Sequence, residues 1–385
     1  MRPLHRRTLA IACLCISGLV LRSQAQATDA DSVAVLIGRY RESPADAVQQ
    51  VGIQRLDPRA LSSAIKRSTR STPQLRSAFV LELAFGALRT YTAPRPLLND
   101  SLDDLSQPPT RPRPRPTDFA DVFEVSSDLA ASARTNASFT AAWREAALSM
   151  LEGAAEVPPQ AAGNLGAPSK LLLSFLDRVA DTLEPGRLHL ARSVVHERAV
   201  AAVLDYDLPT FQGFHLPSAA ANGALIHGNL ERERSAALAE LEKARRYDSS
   251  RALADVHMAQ LFVERGEKGD LELALDRVRE AVTLSAGRPT QYLARLLEGR
   301  VQSSLGHSEA ATKALEAAEA LIPGADAASL SLAAHYYLDG RRSRADQLVR
   351  RVLTAGTLAD PWAYFLMPEY QAWESRIQTL REAVR

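Results

Sequence analysis

Between about residues 224 and 356 the apolar and small side chains fall into a repeating register. Ala237 and Ala244, Ala274 and Ala281, Ala311 and Ala318 each stand seven apart, and Ala345 with Val352 continues the series. The first members of these pairs, Ala237, Ala274, Ala311 and Ala345, follow one another at nearly even intervals. A large apolar residue sits inside each pair: Leu241, Val278, Leu315 and Val349. Twelve residues before Ala311 and Ala345 stand Gly299 and Ala333. Ala259 takes that place before Ala274 once three extra residues in the turn at 266–269 are allowed for. Apolar residues recurring on one face at a period of about 3.6 predict amphipathic helices. A period of roughly 34 residues, with small residues at fixed positions between helices, predicts an α-solenoid of antiparallel helix pairs.

The pattern places a second helix at 235–247 behind a weak leading one, then pairs at 251–265 with 270–284, 290–305 with 308–321, and 327–338 with 341–353. Upstream, apolar periodicity continues without the register. Asp57-Pro58 and Thr72-Pro73 each supply an N-cap followed by proline at the first helical position. Leu75, Phe79, Val80, Leu83, Ala84 and Leu88 then give a broad apolar face, predicting a buried helix. Seven prolines between Pro94 and Thr117 break the pattern and favour an extended linker. Helices resume at 118–133 and 140–152, where Asn136 reads as a polar turn, and again at 169–183 and 187–204. An irregular aromatic stretch, with Tyr206, Phe211, Phe214 and His215, separates these from the repeats.

Residues from about 224 to 357 resemble the tetratricopeptide repeat family, with Pro323 where that family often ends a repeat. They lack its early Trp and carry an insertion near Glu267. The resemblance implies an all-α fold, a right-handed solenoid preceded by an N-terminal helical region. It also implies binding of a protein or peptide on the concave face lined by first helices. Carried onto this chain, that face comprises Leu253, Val256, Gln260 and Val263, then Leu293, Leu296, Arg300 and Ser303, then Ala327, Leu330, Ala334 and Tyr337. The family's carboxylate-gripping version needs several Lys, Arg and Asn there, and only Arg300 is present. An apolar groove for a helix or an extended segment is expected instead, unless the chain's own N-terminal helices or C-terminal tail cover it.

The organisation read from the sequence is a signal peptide at 1–27, a helical region at 28–93, a Pro/Arg-rich linker at 94–117 and a helical region of possible degenerate repeats at 118–222. The repeats follow at 223–357, and a capping segment at 358–385. Arg2, His5, Arg6 and Arg7 precede an apolar core, Leu9 to Leu21, and Ala25-Gln26-Ala27 offers a cleavage site. That core is short of the roughly 20 residues a span needs, and nothing later is long and apolar enough, so no integral span is expected after cleavage. Export places the chain in a bacterial periplasm or outside the cell, a source suggested by only five Lys among 46 basic residues.

Both cysteines, Cys13 and Cys15, lie in the signal, so the mature chain has neither a disulfide nor a thiolate metal site. Four of the 46 basic residues go with the signal, leaving 42 against 45 acids, a net of about −3. That balance gives no field for nucleic acid. His189 and His196 are seven apart on one predicted helix, not the i, i+4 spacing that turns two rings onto one zinc, and read as a surface pair. No catalytic residue, metal ligand or cofactor site is expected. The function expected is non-catalytic binding of a protein or peptide partner. The readings from other classes are an envelope enzyme whose N-terminal region catalyses while the repeats recruit, and a purely structural spacer.

Overall fold

The computed structural model describes residues 30–53, 56–92, 116–154, 166–207, 226–284, 287–354 and 360–385. The signal, nearly all of the proline-rich linker and most of the aromatic stretch from 208 lie outside them. Among the described residues the fold is all-helical, with seventeen α-helices, two short 3-10 turns and no strand. Neighbouring helices pack in pairs. The chain divides into two compact units, Met1–Gly163 with Glu369–Arg385, and Asn164–Pro368.

The first unit opens with α1 (Ala30–Glu42) and α2 (Pro44–Ile53), separated where proline resets the helix, then α3 (Pro58–Arg67) and α4 (Pro73–Thr92). The Asp57 side chain accepts the Arg59 N–H at 3.0 Å and Thr72 Oγ1 accepts that of Leu75, so both capping signals act as read. After α5 (Pro116–Ser132), α6 (Ala137–Ala154) begins where Asn136 Oδ1 accepts the Phe139 N–H at 2.9 Å. Asn136 is therefore an N-cap. α4 packs on α5, with Phe79, Val80, Leu81 and Ala84 all at 0% exposure.

The second unit begins with α7 (Gly166–Arg178) and the long α8 (Pro185–Asp207). It continues through α9 (Leu230–Ala244), α10 (Asp248–Arg265), α11 (Asp270–Thr283), α12 (Arg288–Ser304), α13 (Ser308–Leu321), α14 (Asp326–Leu338) and α15 (Arg342–Thr354). α10 packs on α11, α12 on α13 and α14 on α15. Among the described residues no helix stands between α8 and α9. Residues 226–229 are non-helical, and the partner of α9 is α8, well upstream in the chain. The alanines that set the register, Ala237, Ala244, Ala274, Ala281, Ala311 and Ala318, are at 0–1% exposure. Leu241, Val278 and Leu315 are equally buried. Val349 is 36% exposed and Leu348 takes the inward place in α15.

The chain returns to the first unit after Pro368. α16 (Pro368–Gln371) leads into α17 (Trp373–Ala383), which packs on α6. Glu152 on α6 accepts the N–H groups of Glu369 and Tyr370 at 2.7 and 2.9 Å, and Trp373 stacks on Phe85. Arg381 reaches the buried Glu82, which also takes the hydroxyl of Tyr40. Burial, then the Glu82 carboxylate, pushes that phenol well above its ordinary value. The tail expected as one cap thus has two destinations, with 369–385 in the first unit and the residues up to 368 in the second.

A close approach within a pair is at Gly299. A Cβ there would stand 2.5 Å from Leu315 Cγ and 3.3 Å from the Ala311 carbonyl oxygen. Leu315 is 1% exposed and cannot withdraw into solvent. Gly299→Val is expected to destabilise the fold by about 1–3 kcal/mol, read by urea unfolding. An unchanged midpoint would show that α12 and α13 can separate at no cost.

Candidate functional site

The residues predicted to line one face of the first helices fall into three groups. Val256, Leu293 and Leu296 are buried in the core, at 0%, 6% and 0% exposure, and present no surface. Leu253 and Val263 pack half-buried against the same core, as does Ala327. Gln260 is half-buried too, and its amide donates to Glu264 at 2.7 Å. Leu330, Ala334 and Tyr337 are exposed along α14 at i, i+4 and i+7, and Ser303 is exposed on α12.

The remaining predicted residue, Arg300, is where the structure is most informative. Trp362 lies under its guanidinium, 4.2 Å from ring centroid to Cζ, and burial lowers the affinity of that group for its proton. Trp362 belongs to the segment 360–366, which runs over α10, α12 and the start of α14. Asp360 is its polar anchor. One carboxylate oxygen accepts the Tyr292 hydroxyl at 3.0 Å and the Trp362 N–H at 2.8 Å. The other accepts the Ala327 N–H at 2.7 Å, in the first turn of α14. Burial, then the Asp360 carboxylate, pushes the Tyr292 phenol up. Phe365 is 6% exposed, stacks on the His257 ring at 4.2 Å and joins the core that holds Leu293 and Leu296, with Leu366 packed alongside. The chain therefore covers part of its own predicted face with a short acidic-aromatic segment.

A second cluster went unrecognised in the sequence. His189 Nδ1 lies 2.6 Å from Glu240 Oε2, and His196 Nδ1 lies 2.8 Å from Glu233 Oε2. His189 is half-buried. His196 is 6% exposed and Glu233 is at 0%. The signal was present: Glu233 and Glu240 on α9 are seven apart, as are His189 and His196 on α8, so antiparallel packing aligns both pairs at once. A third pair joins α8 to α10, with His257 Nδ1 2.8 Å from Glu197 Oε2 and Ser193 bonded to the other Glu197 oxygen. In that chain the hydroxyl meets the carboxylate and the imidazole does not touch it. Nucleophile activation requires the hydroxyl on the imidazole, so these three groups do not form a catalytic relay.

Charged side chains also join α9, α10 and α11. Arg245 reaches the fully buried Asp255 at 2.6 Å and Glu280 at 3.1 Å, while Arg251 and Arg277 converge on Glu280. The Arg251 hydrogen bond holds Glu280 below its ordinary value, and the Arg265 bond does the same for Asp270. Burial works to raise Glu240, but the bonds from Lys243 and His189 outweigh it. Asp255 is raised by burial, against the pull of Arg245.

These contacts set the response to substitution and to acid. Asp360→Ala strands a buried hydroxyl and a half-buried amide, and is expected to cost about 2–4 kcal/mol with a changed Trp emission. Asp360→Asn keeps an acceptor and costs less, and equal costs would argue against the carboxylate as anchor. The depressed carboxylates Glu280, Asp270 and Glu240 contribute stability present above the ordinary carboxylate value, about 4. That contribution is lost as pH falls through their lower folded values, partly offset by the raised Asp255. Melting temperature should therefore hold from about pH 7 to 5 as far as these groups decide it, and drop below about pH 4. A melting temperature that does not fall below about pH 4 would contradict the assignment.

Compared with models of known protein families and with curated proteins, the chain matches none.

Proposed function

We propose that the second unit is a tetratricopeptide-like right-handed solenoid in an exported, non-catalytic binding protein, and that the face of its first helices takes a short aromatic peptide from a protein partner. The observation that carries this reading is the seating of 360–366 on that face. An acceptor for two donors, a ring on Arg300 and a ring in the core are the elements by which a groove recognises an extended segment. Helix α14 continues the surface with Leu330 at 46% and Tyr337 at 57% exposure. A partner segment longer than the chain's own thus has further apolar positions to occupy. Export rests on the charged, apolar and small-residue order of the segment from Met1 to Ala27. Among the described residues no helix is long and apolar enough to cross a membrane.

The reading is tested with a labelled peptide of residues 359–368 added to full-length Phe365→Ala, in which the internal segment is loosened. Binding is expected by fluorescence anisotropy, at least tenfold weaker for a peptide with Asp360→Ala, and weaker still to the unmodified protein, where the tethered segment competes. Trp362→Ala provides a second loosened background should Phe365→Ala lose helicity. Failure of both folded variants to bind the peptide would make 360–366 a fixed piece of core and the unit a structural element.

A further inference from the structure

The joint between α8 and α9 carries a group of side chains that the peptide-binding reading does not use. His196 on α8, His227 just before α9 and Glu233 in the first turns of α9 each present a ligand atom, and these atoms lie within 4.8 Å of one another. Glu233 is completely buried, with one carboxylate oxygen on His196 Nδ1 and the other accepting the backbone N–H of His227. That second bond holds His227 at the carboxylate, and its ring stacks on His196 with centroids 5.2 Å apart and planes at 19°. His227 is exposed, so the group is open to solvent on one side.

We infer that His196, His227 and Glu233 form a binding site for a divalent first-row ion of the zinc class. Two imidazoles and one carboxylate are a donor set that suits Zn²⁺ and leaves a fourth position for water. Zinc bonds of about 2.0–2.1 Å place tetrahedral donors about 3.3 Å apart, close to the grouping these atoms already have. The ion would tie the residues preceding α9 to α8, fastening a pair whose helices are separated by a long interval of chain. The site is independent of the peptide-binding face, and neither reading depends on the other.

The test is Zn²⁺ titration by calorimetry of the full chain, prepared without a histidine tag and freed of metal with a chelator. One equivalent is expected to bind with a dissociation constant in the low micromolar range or tighter, with a higher melting temperature in zinc. His227→Ala, at an exposed position, should leave the metal-free melting curve unchanged and weaken Zn²⁺ at least tenfold. Glu233→Gln should weaken it likewise, and His335→Ala on α14 should not. With Co²⁺ as the probe, visible absorption bands should appear in the unmodified protein and be lost in His227→Ala. Absence of Zn²⁺ uptake, or uptake that His227→Ala leaves intact, would overturn the site.

Discussion

Close approach of two helix axes is the constraint on which the second unit depends. Within α12 and α13 the contact is a glycine against a leucine, Gly299 under Leu315, with the Ala311 carbonyl behind it. The other pairs use Ala259 and Ala333 at the same place, buried at 0% and 4%. A larger side chain there would hold the helices apart and open a gap around the buried alanines, and a packed interior tolerates neither excess volume nor voids. Once the axes are fixed at that distance, the large residue of each second helix has one place to go. Leu241, Val278 and Leu315 fill it. In α15 the rule relaxes: Val349 and Leu353 are 36% and 78% exposed, because no further pair packs on the outer side of this helix within the described residues.

A face built from such helices is apolar, and apolar surface alone does not fix the position of what lies on it. Asp360 supplies the direction. Its carboxylate stands against the first turn of α14, where unpaired N–H groups and the positive end of the helix dipole favour an anion. It takes the Tyr292 hydroxyl at the same time. The aromatic residues that follow are placed from that anchor, Trp362 against Arg300 and Phe365 against His257. The order of elements, acid first and rings after, gives the segment a register that burial of Trp362 and Phe365 by themselves would leave free to slide.

The architecture is largely legible in the sequence because it rests on local periodicity. Helix class, the pairs from α10 to α15, the caps at Asp57 and Thr72 and the small residues at 259, 299 and 333 all follow from spacing within a single repeat length. The face is legible only in part. A first helix in a stacked pair presents both an inner surface and flanks toward its neighbours, and the helical period does not say where one ends. Val256, Leu293 and Leu296 therefore read as lining and lie in the core. The partner of α9 is misplaced for a different reason. That partner ends at Asp207, well before Leu230, so it falls outside the window that one repeat period searches. The occupancy of Arg300 is legible only as an alternative, since a contact with Trp362, so far along the chain, leaves no mark on local pattern.

The His–carboxylate pairs bear on that misplaced helix. Closing a long connection costs little more than closing a short one, because the entropic cost grows only with the logarithm of its length. What a long connection forfeits is register: a tight turn dictates which residue of one helix meets which of the next, and a long interval does not. Alanine faces are poor at restoring it, since one small residue resembles another after a shift of one turn. Two histidines seven apart meeting two glutamates seven apart remove that degeneracy. A slide of one turn would leave the fully buried Glu233 without its imidazole, and an unpaired buried carboxylate costs several kcal/mol. The α8–α9 pair is thus registered by polar side chains, where the pairs joined by short turns are registered by their loops and by steric fit.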